Sequence, residues 1–313
     1  MDAGALSKII HLNPTARMFS KPNPNRPFLS TAKSMVSFAT SNKNHQSYWT
    51  SINADIDTHL KQAIPIRPPL VVFEPMHHLT FAAPETTAPA LCMAACELVG
   101  GQRDQAVAAA SALHLLHASA FTHENIPVTD RPRSSSRPVF DHAYEPNIEL
   151  LTGDGMTPFA FELLARFDNL AQNDADRVLR VIIEISRAVG SQGVVEGQYN
   201  ELRYDESNGK KSFNAAWLDN VCRKKDGELH ACAAACGAIL GGGSEEEMEK
   251  LRRYGLYVGM IEGIFNRGER NEKWLQKVNE LKNLALKELK DFNQEKVKKI
   301  FSLVENKFNN VCV

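Results

Sequence analysis

Hydrophobic positions along most of the chain recur every three to four residues, which is the spacing of one face of a helix. Strand-like alternation of apolar and polar residues is nearly absent, so the pattern indicates an all-α body. The predicted helices span residues 56–64, 90–100, 106–121, 159–171, 174–189, 229–240, 245–265, 274–292 and 297–308.

Turn residues divide these helices. The prolines of Pro65–Pro69 force extended structure. The pair Gly100-Gly101 and the triple Gly241–Gly243 are typical helix stops. Residues 244–247, Ser-Glu-Glu-Glu, predict a capping box that starts the next helix. Four prolines between 122 and 147 exclude a long helix there, and we expect a loop.

Residues 1–54 have a different composition from the rest of the chain. They contain one acidic residue, Asp2, beside six basic residues and many serines and threonines. This composition is typical of an organelle transit peptide, and the proline-asparagine patch at 22–25 favours a plastid over a mitochondrion. The alternative is a disordered tail that has no targeting function. We therefore divide the chain into a leader, 1–54, and one helical domain, 55–313.

Composition and charge limit what the body can do. The 313-residue chain is 43% hydrophobic and 23% charged, as in soluble globular proteins. Its formal net charge of −1 argues against a nucleic-acid partner or an anionic membrane surface. No window approaches the 18 or so apolar residues that a transmembrane helix needs. Six cysteines are too few for a disulfide scaffold and fit a reducing compartment.

Two cysteine pairs lie in alanine-rich helices. Cys92 and Cys96 form the first pair, and Cys232 and Cys236 form the second. Residues four apart share a helix face, and the small neighbours allow another helix to approach closely. Four interpretations remain open on spacing alone: a zinc site, disulfides, a tightly packed core, or a surface that faces or shapes a protein interface.

Several segments carry a family resemblance. Residues 92–101, 117–127, 153–154, 197–198 and 237–251 resemble trans-prenyl diphosphate synthases, specifically plant geranylgeranyl diphosphate synthases, over most of the chain after residue 55. The two Cys-x-x-x-Cys motifs resemble those of small subunits of heterodimeric plant geranyl diphosphate synthases. In that family they mark contact with a catalytic large subunit. The resemblance implies an all-α prenyl synthase (isoprenoid synthase) helical bundle.

The family's catalytic motifs are altered in this chain. Family members hold Mg²⁺ with two Asp-rich motifs, which need several carboxylates close together. At the first, Glu124 and Asp130 are the acidic residues, and Asn125 replaces the central carboxylate. At the second, residues 266–270, Asn-Arg-Gly-Glu-Arg, place two cations where a metal ion should bind. We therefore expect no metal ligand and no catalytic residue in this chain.

The basic motif that holds isopentenyl diphosphate in the family is also missing, because residues 83–89 place Glu85 and neutral residues there. Three remnants match the family's substrate contacts or ligands, and we take them as a vestigial substrate pocket: His117, Asp130 and Lys225.

The residues and the resemblance together predict a non-catalytic regulatory subunit in the plastid stroma. It is expected to bind a catalytic geranylgeranyl diphosphate synthase-like large subunit as a heterodimer, or as a heterotetramer of two such pairs. The complex would make geranyl diphosphate (C10) from isopentenyl and dimethylallyl diphosphates for monoterpene biosynthesis. Mg²⁺ would enter through the partner, and this chain would bind no cofactor. The alternatives are an active short-chain prenyltransferase with a degenerate metal site and a structural helical homo-oligomer.

Overall fold

A computed structural model describes residues 31–126, 142–166, 174–207, 215–267 and 272–309. Every regular element in those ranges is a helix, which confirms the all-α prediction. The α-helices are α1 (Thr31–Ala63), α2 (Leu70–Ala82), α3 (Ala88–Val99), α4 (Arg103–Asn125), α5 (Pro146–Ala165), α6 (Ala175–Val189), α7 (Val194–Ser207), α8 (Ala215–Cys222), α9 (Glu228–Leu240), α10 (Glu245–Arg267), α11 (Glu272–Glu288) and α12 (Gln294–Asn309).

The chain divides into a short unit, Met1–Lys43, and a large unit, Asn44–Val313. Of the short unit, the structure describes residues 31–43, which are helical. In the large unit, α9 lies at the centre of the core. All its residues from Leu229 to Leu240 are buried, and it packs against α3, α4, α6 and α10. This explains its composition, because a helix surrounded by others must be apolar on every side.

The core begins upstream of residue 55. Trp49 and Ile52 are buried, and the indole Nε1 of Trp49 donates to the hydroxyl of Ser302 at 2.9 Å. With Ile56 and Leu60 they form one apolar stripe, which the hydroxyl-rich composition of the segment obscures. The folded region therefore includes part of the segment 1–54. The leader assignment itself stays a prediction, because residues 1–30 lie outside the described residues.

Most predicted helix ends are confirmed. Helix α3 stops before Gly100, and α9 stops before Gly241. The capping box exists: the hydroxyl of Ser244 accepts from the amide of Glu247 at 3.3 Å, and the carboxylate of Glu247 accepts from the amide of Ser244 at 2.8 Å.

Several helices differ from the predictions. The predicted set lacks α2, α7 and α8, and α1 begins upstream of residue 56. Helix α5 starts at Pro146, twelve residues before Pro158, and runs through that proline, and α2 contains Pro75. In α2 and α5, neighbouring helices bury the apolar face, and this packing outweighs the cost of the lost backbone hydrogen bond. Of the predicted loop 122–147, residues 127–141 lie outside the described residues. No described helix is long and apolar enough to cross a bilayer.

Candidate functional site

A largely buried ion-pair network lies where the resemblance places the two Asp-rich motifs. Five side chains form it: Glu124, Glu201, Lys225, Asp226 and Arg267. They come from the last turns of α4 and α10, the middle of α7, and a single π-helical segment, Arg223–Gly227, between α8 and α9. The extra residue of a π turn changes the direction of the side chains around it.

Lys225 joins two carboxylates in this network. Its Nζ lies 3.0 Å from each oxygen of Glu124 and 2.6 Å from Oε2 of Glu201. Lys225 and Glu201 are both buried, so the pair is shielded from solvent. Gly197 makes room for it, because a Cβ at that position would lie 2.6 Å from Cγ of Lys225.

Arg267 joins the other side of the network. Its Nε donates to Oε1 of Glu201 at 3.0 Å, and its Nη1 donates to Oδ2 of Asp226. Burial alone would lower the pKa of Arg267, but Asp226 and Glu201 raise it above its usual value. Burial raises the pKa of Asp226, and the charges of Arg267 and Lys225 offset part of that rise. The guanidinium therefore stays charged and neutralises the carboxylates around it.

These residues do not fit the Mg²⁺ that the family implies. Mg²⁺ binds carboxylate oxygens at about 2.0–2.1 Å in octahedral geometry. Here the carboxylate of Glu124 contacts an ammonium group, and Arg267 brings a second cation to the same place. Asn125 donates from its Nδ2 to the carbonyl of Phe121, within its own helix. In the part of the chain that the structure describes, no three His, Cys, Asp or Glu side chains are placed to hold a metal ion.

A second polar cluster lies at the start of α3. The hydroxyl of Thr87 donates to Oε2 of Glu262 at 2.6 Å and lies 3.0 Å from Nε2 of His230. Nδ1 of His230 donates to the carbonyl of Asp226 at 2.7 Å, which connects this cluster to the ion-pair network. Thr87 belongs to the segment 83–89, so this segment contacts buried side chains of the bundle through a neutral hydroxyl.

His117 contacts the same segment. Its Nε2 donates to the carbonyl of Pro84 at 3.0 Å, and burial lowers the pKa of His117 to about 4. A neutral imidazole that is hydrogen-bonded to the backbone has a structural role and offers no charge to a diphosphate. Glu85 is exposed.

The two cysteine pairs meet in one contact between α3 and α9, which we call the cysteine helix contact. Cys92, Cys96, Cys232 and Cys236 are all buried, and the two sulfurs of the second pair lie 3.7 Å apart. A Cβ on Gly237 would lie 2.0 Å from the carbonyl oxygen of Cys92, so the helix backbones touch.

Burial disfavours the thiolate form of Cys92 and Cys96. Burial raises the pKa of Cys92 well above its usual value and raises that of Cys96 to about 12. Zinc coordination and disulfide exchange both need thiolate, so neither is favoured here. In the isolated chain the sulfurs lie inside the bundle. That the cysteines contribute to a subunit interface stays a prediction. They would do so indirectly, by setting the positions of α3 and α9.

The vestigial substrate pocket predicted from the sequence stays a prediction. Lys225 belongs to the ion-pair network, and His117 contacts the 83–89 segment. Asp130 lies outside the described residues, as do Glu269 and Arg270. Sequence reasoning missed Glu201 and Asp226 as partners of the cations. The signal for Glu201 is its position four residues after Gly197, on the helix face that lies against the π segment.

Comparisons with known proteins agree with this fold. The family model described as polyprenyl synthetase matches residues 70–262. Over 264 residues the chain is 56% identical to heterodimeric geranylgeranyl pyrophosphate synthase small subunit 2, chloroplastic, of Cannabis sativa. That match covers 83% of this chain and 91% of the relative.

Two solved structures are similar to this one. The geranyl diphosphate synthase small subunit from Antirrhinum majus is 53% identical, with a TM-score of 0.76 over 83% of this chain and 98% of that one. A chain of a deletion mutant of the heterotetrameric geranyl pyrophosphate synthase of mint is 50% identical, with a TM-score of 0.71 over 82% of this chain and 98% of that one. The resemblance drawn from the sequence motifs is confirmed.

Proposed function

This chain belongs to the polyprenyl synthetase family, and we propose that it is a non-catalytic regulatory small subunit of a heterodimeric prenyl diphosphate synthase. The observation that carries the proposal is the ion-pair network. Arg267 and Lys225 neutralise carboxylates where family members hold the metal ions of catalysis. A diphosphate leaving group bound here would lack its usual metal ions and would meet carboxylates.

In this proposal a geranylgeranyl diphosphate synthase-like large subunit supplies the catalytic site. That partner brings the Asp-rich motifs, Mg²⁺ and the sites for isopentenyl and dimethylallyl diphosphates. The names of the relatives support such an assembly, because one is called a small subunit of a heterodimeric synthase and another belongs to a heterotetrameric synthase. The complex is proposed to work in the plastid stroma, as the chloroplastic name of the relative suggests.

Exposed apolar side chains support docking to another protein. Leu179 and Ile183 lie four residues apart on α6 and are 57% and 42% exposed. Leu151 on α5 is 65% exposed. Large exposed apolar groups at helical spacing are typical of subunit contacts.

We propose that the complex releases geranyl diphosphate, the C10 product, for monoterpene biosynthesis. Docking would change the depth or closure of the partner's elongation cavity, so that growth stops after one condensation. The solved relatives named for geranyl diphosphate synthase support this product. The name of the Cannabis relative favours a second candidate, a complex that makes geranylgeranyl diphosphate, the C20 product.

The test is co-expression with a plastid geranylgeranyl diphosphate synthase. The two chains should co-purify, and the product should shift from C20 towards C10 compared with the large subunit alone. Unchanged C20 product from the stable complex would support the second candidate. Appreciable geranyl diphosphate from the isolated chain would contradict the non-catalytic proposal, and a stable homo-oligomer that ignores the partner would support a purely structural role.

Surface variants locate the docking surface. Leu151→Glu and Ile183→Glu should weaken co-purification without lowering the melting temperature of the isolated chain. The control is Glu295→Gln, at an exposed position on α12 that pairs with Lys298. Changing Cys92 and Cys96, or Cys232 and Cys236, to leucine should also reduce assembly, but through displaced helices and with a lower melting temperature.

A further inference from the structure

The ion-pair network holds together parts of the chain that would otherwise repel each other. It brings three carboxylates, those of Glu124, Glu201 and Asp226, into the same region from three separate elements. Like charges that are largely shielded from solvent in one region are unfavourable unless cations lie between them. Lys225 lies between Glu124 and Glu201, and Arg267 lies between Glu201 and Asp226.

We propose that Lys225 and Arg267 are internal counterions that link α4, α7 and α10 without a divalent cation. The residues do not fit the family's Mg²⁺, because this region carries its own positive charges. Folding of the region is therefore independent of divalent cations, whatever the partner contributes.

The distances explain how an ammonium group can do this. Nζ of Lys225 holds three oxygens at 2.6–3.0 Å. Ca²⁺ binds oxygens at about 2.3–2.6 Å and Mg²⁺ at about 2.0–2.1 Å. A divalent ion at the position of Nζ would therefore need the two glutamates to move inwards by a few tenths of an ångström or more. Glutamate side chains can make that movement once the lysine charge is removed.

The test is thermal unfolding of Lys225→Met, which keeps the apolar stem and removes the charge. In EDTA its melting temperature should fall by about 5 °C or more, because the two glutamates lose their shared cation. Millimolar Mg²⁺, Mn²⁺ or Ca²⁺ should restore about 2 °C or more of that loss. The wild-type melting temperature should be the same in EDTA and in each metal.

Lys250→Met is the matched control. Lys250 also contacts two carboxylates, those of Glu246 and Asp291, at 2.7 Å each, but both partners are exposed to solvent. Its melting temperature should change little, and added metal should have no effect.

A double variant separates charge from packing. In Lys225→Met with Glu201→Gln, one carboxylate is removed together with the cation, so part of the lost melting temperature should return in EDTA and the response to metal should shrink. A wild-type chain that metal stabilises as much as the single variant would overturn the proposal. So would a single variant as stable as wild type. A loss that neither metal nor Glu201→Gln reverses would show that Lys225 acts through packing alone and would also overturn it.

Discussion

The cysteine helix contact and the ion-pair network are both buried, but they are built on opposite principles. In the contact, the backbone of α9 at Gly237 lies against the backbone of α3 at Cys92. The stability of the contact therefore depends on the absence of a side chain at Gly237. In the network, Lys225 and Arg267 reach between carboxylates, so its stability depends on charges that are present. Added side-chain volume should destabilise the cysteine helix contact most, and loss of a charge should destabilise the ion-pair network most.

The largest expected effect is that of one added methyl group at Gly237. In Gly237→Ala the new Cβ would lie 2.0 Å from the backbone oxygen of Cys92 and 3.0 Å from Cβ of Ala95. Backbone atoms cannot rotate away, so the helices must separate. We expect a loss of about 3 kcal/mol in the free energy of unfolding, measured by urea denaturation.

Gly155→Ala is the control, because only Cε of Met76 lies near, at 3.8 Å. Alanine is the better helix former, so this variant should be neutral or gain up to about 1 kcal/mol. Equal stabilities for the two variants would show that the backbone contact between α3 and α9 is not limiting.

The next largest effect is expected in the network. Arg267→Met leaves Glu201 and Asp226 without the guanidinium, and we expect a loss of about 2 kcal/mol at neutral pH. Arg253→Met is its control on the same helix, since the pair of Arg253 with Glu288 at 2.9 Å is largely exposed at the arginine. That control should lose about 0.5 kcal/mol. Similar losses in both variants would mean that burial adds nothing to the Arg267 pairs.

The two regions were not equally predictable from the sequence. Alanines, glycines and paired cysteines at helical spacing predict a close helix contact, and the structure has one. The altered motifs predict that carboxylates are missing around Asn125 and Asn266. They do not predict the ion-pair network, because Glu201, Lys225 and Arg267 are separated in the chain. These residues meet only where the side chain of Glu201 on α7 contacts the π segment and the last residue of α10.

The next effect is expected at the hydrogen bond between His117 and the carbonyl of Pro84. Burial lowers the pKa of His117 to about 4, while in the unfolded chain it is near 6.5. Between those values the unfolded chain binds a proton that the folded chain does not, so His117 makes stability fall as the pH falls from 6.5 to 4. His117→Gln should remove that contribution and reduce the loss between pH 7 and pH 5 by about 2 kcal/mol.

Urea denaturation at a series of pH values measures this effect, and His78→Gln, at an exposed histidine, controls for the substitution itself. If His117→Gln and wild type lose the same stability between pH 7 and pH 5, then the neutral imidazole against the carbonyl of Pro84 is not what the folded state requires.

The smallest expected effect compares two cysteines of one pair. The thiol of Cys96 donates to the carbonyl of Gln102 at 3.2 Å, and a serine hydroxyl can keep that bond, so Cys96→Ser should lose less than about 0.5 kcal/mol. Cys92 is fully buried against α9, and a serine there brings a hydroxyl into an apolar contact, so Cys92→Ser should lose about 1 kcal/mol. If urea denaturation gives equal losses for the two variants, then the volume of the sulfur atom alone determines the loss of stability. A larger loss for Cys92→Ser would show that the contact excludes polarity as well as volume, which is the property that distinguishes it from the ion-pair network.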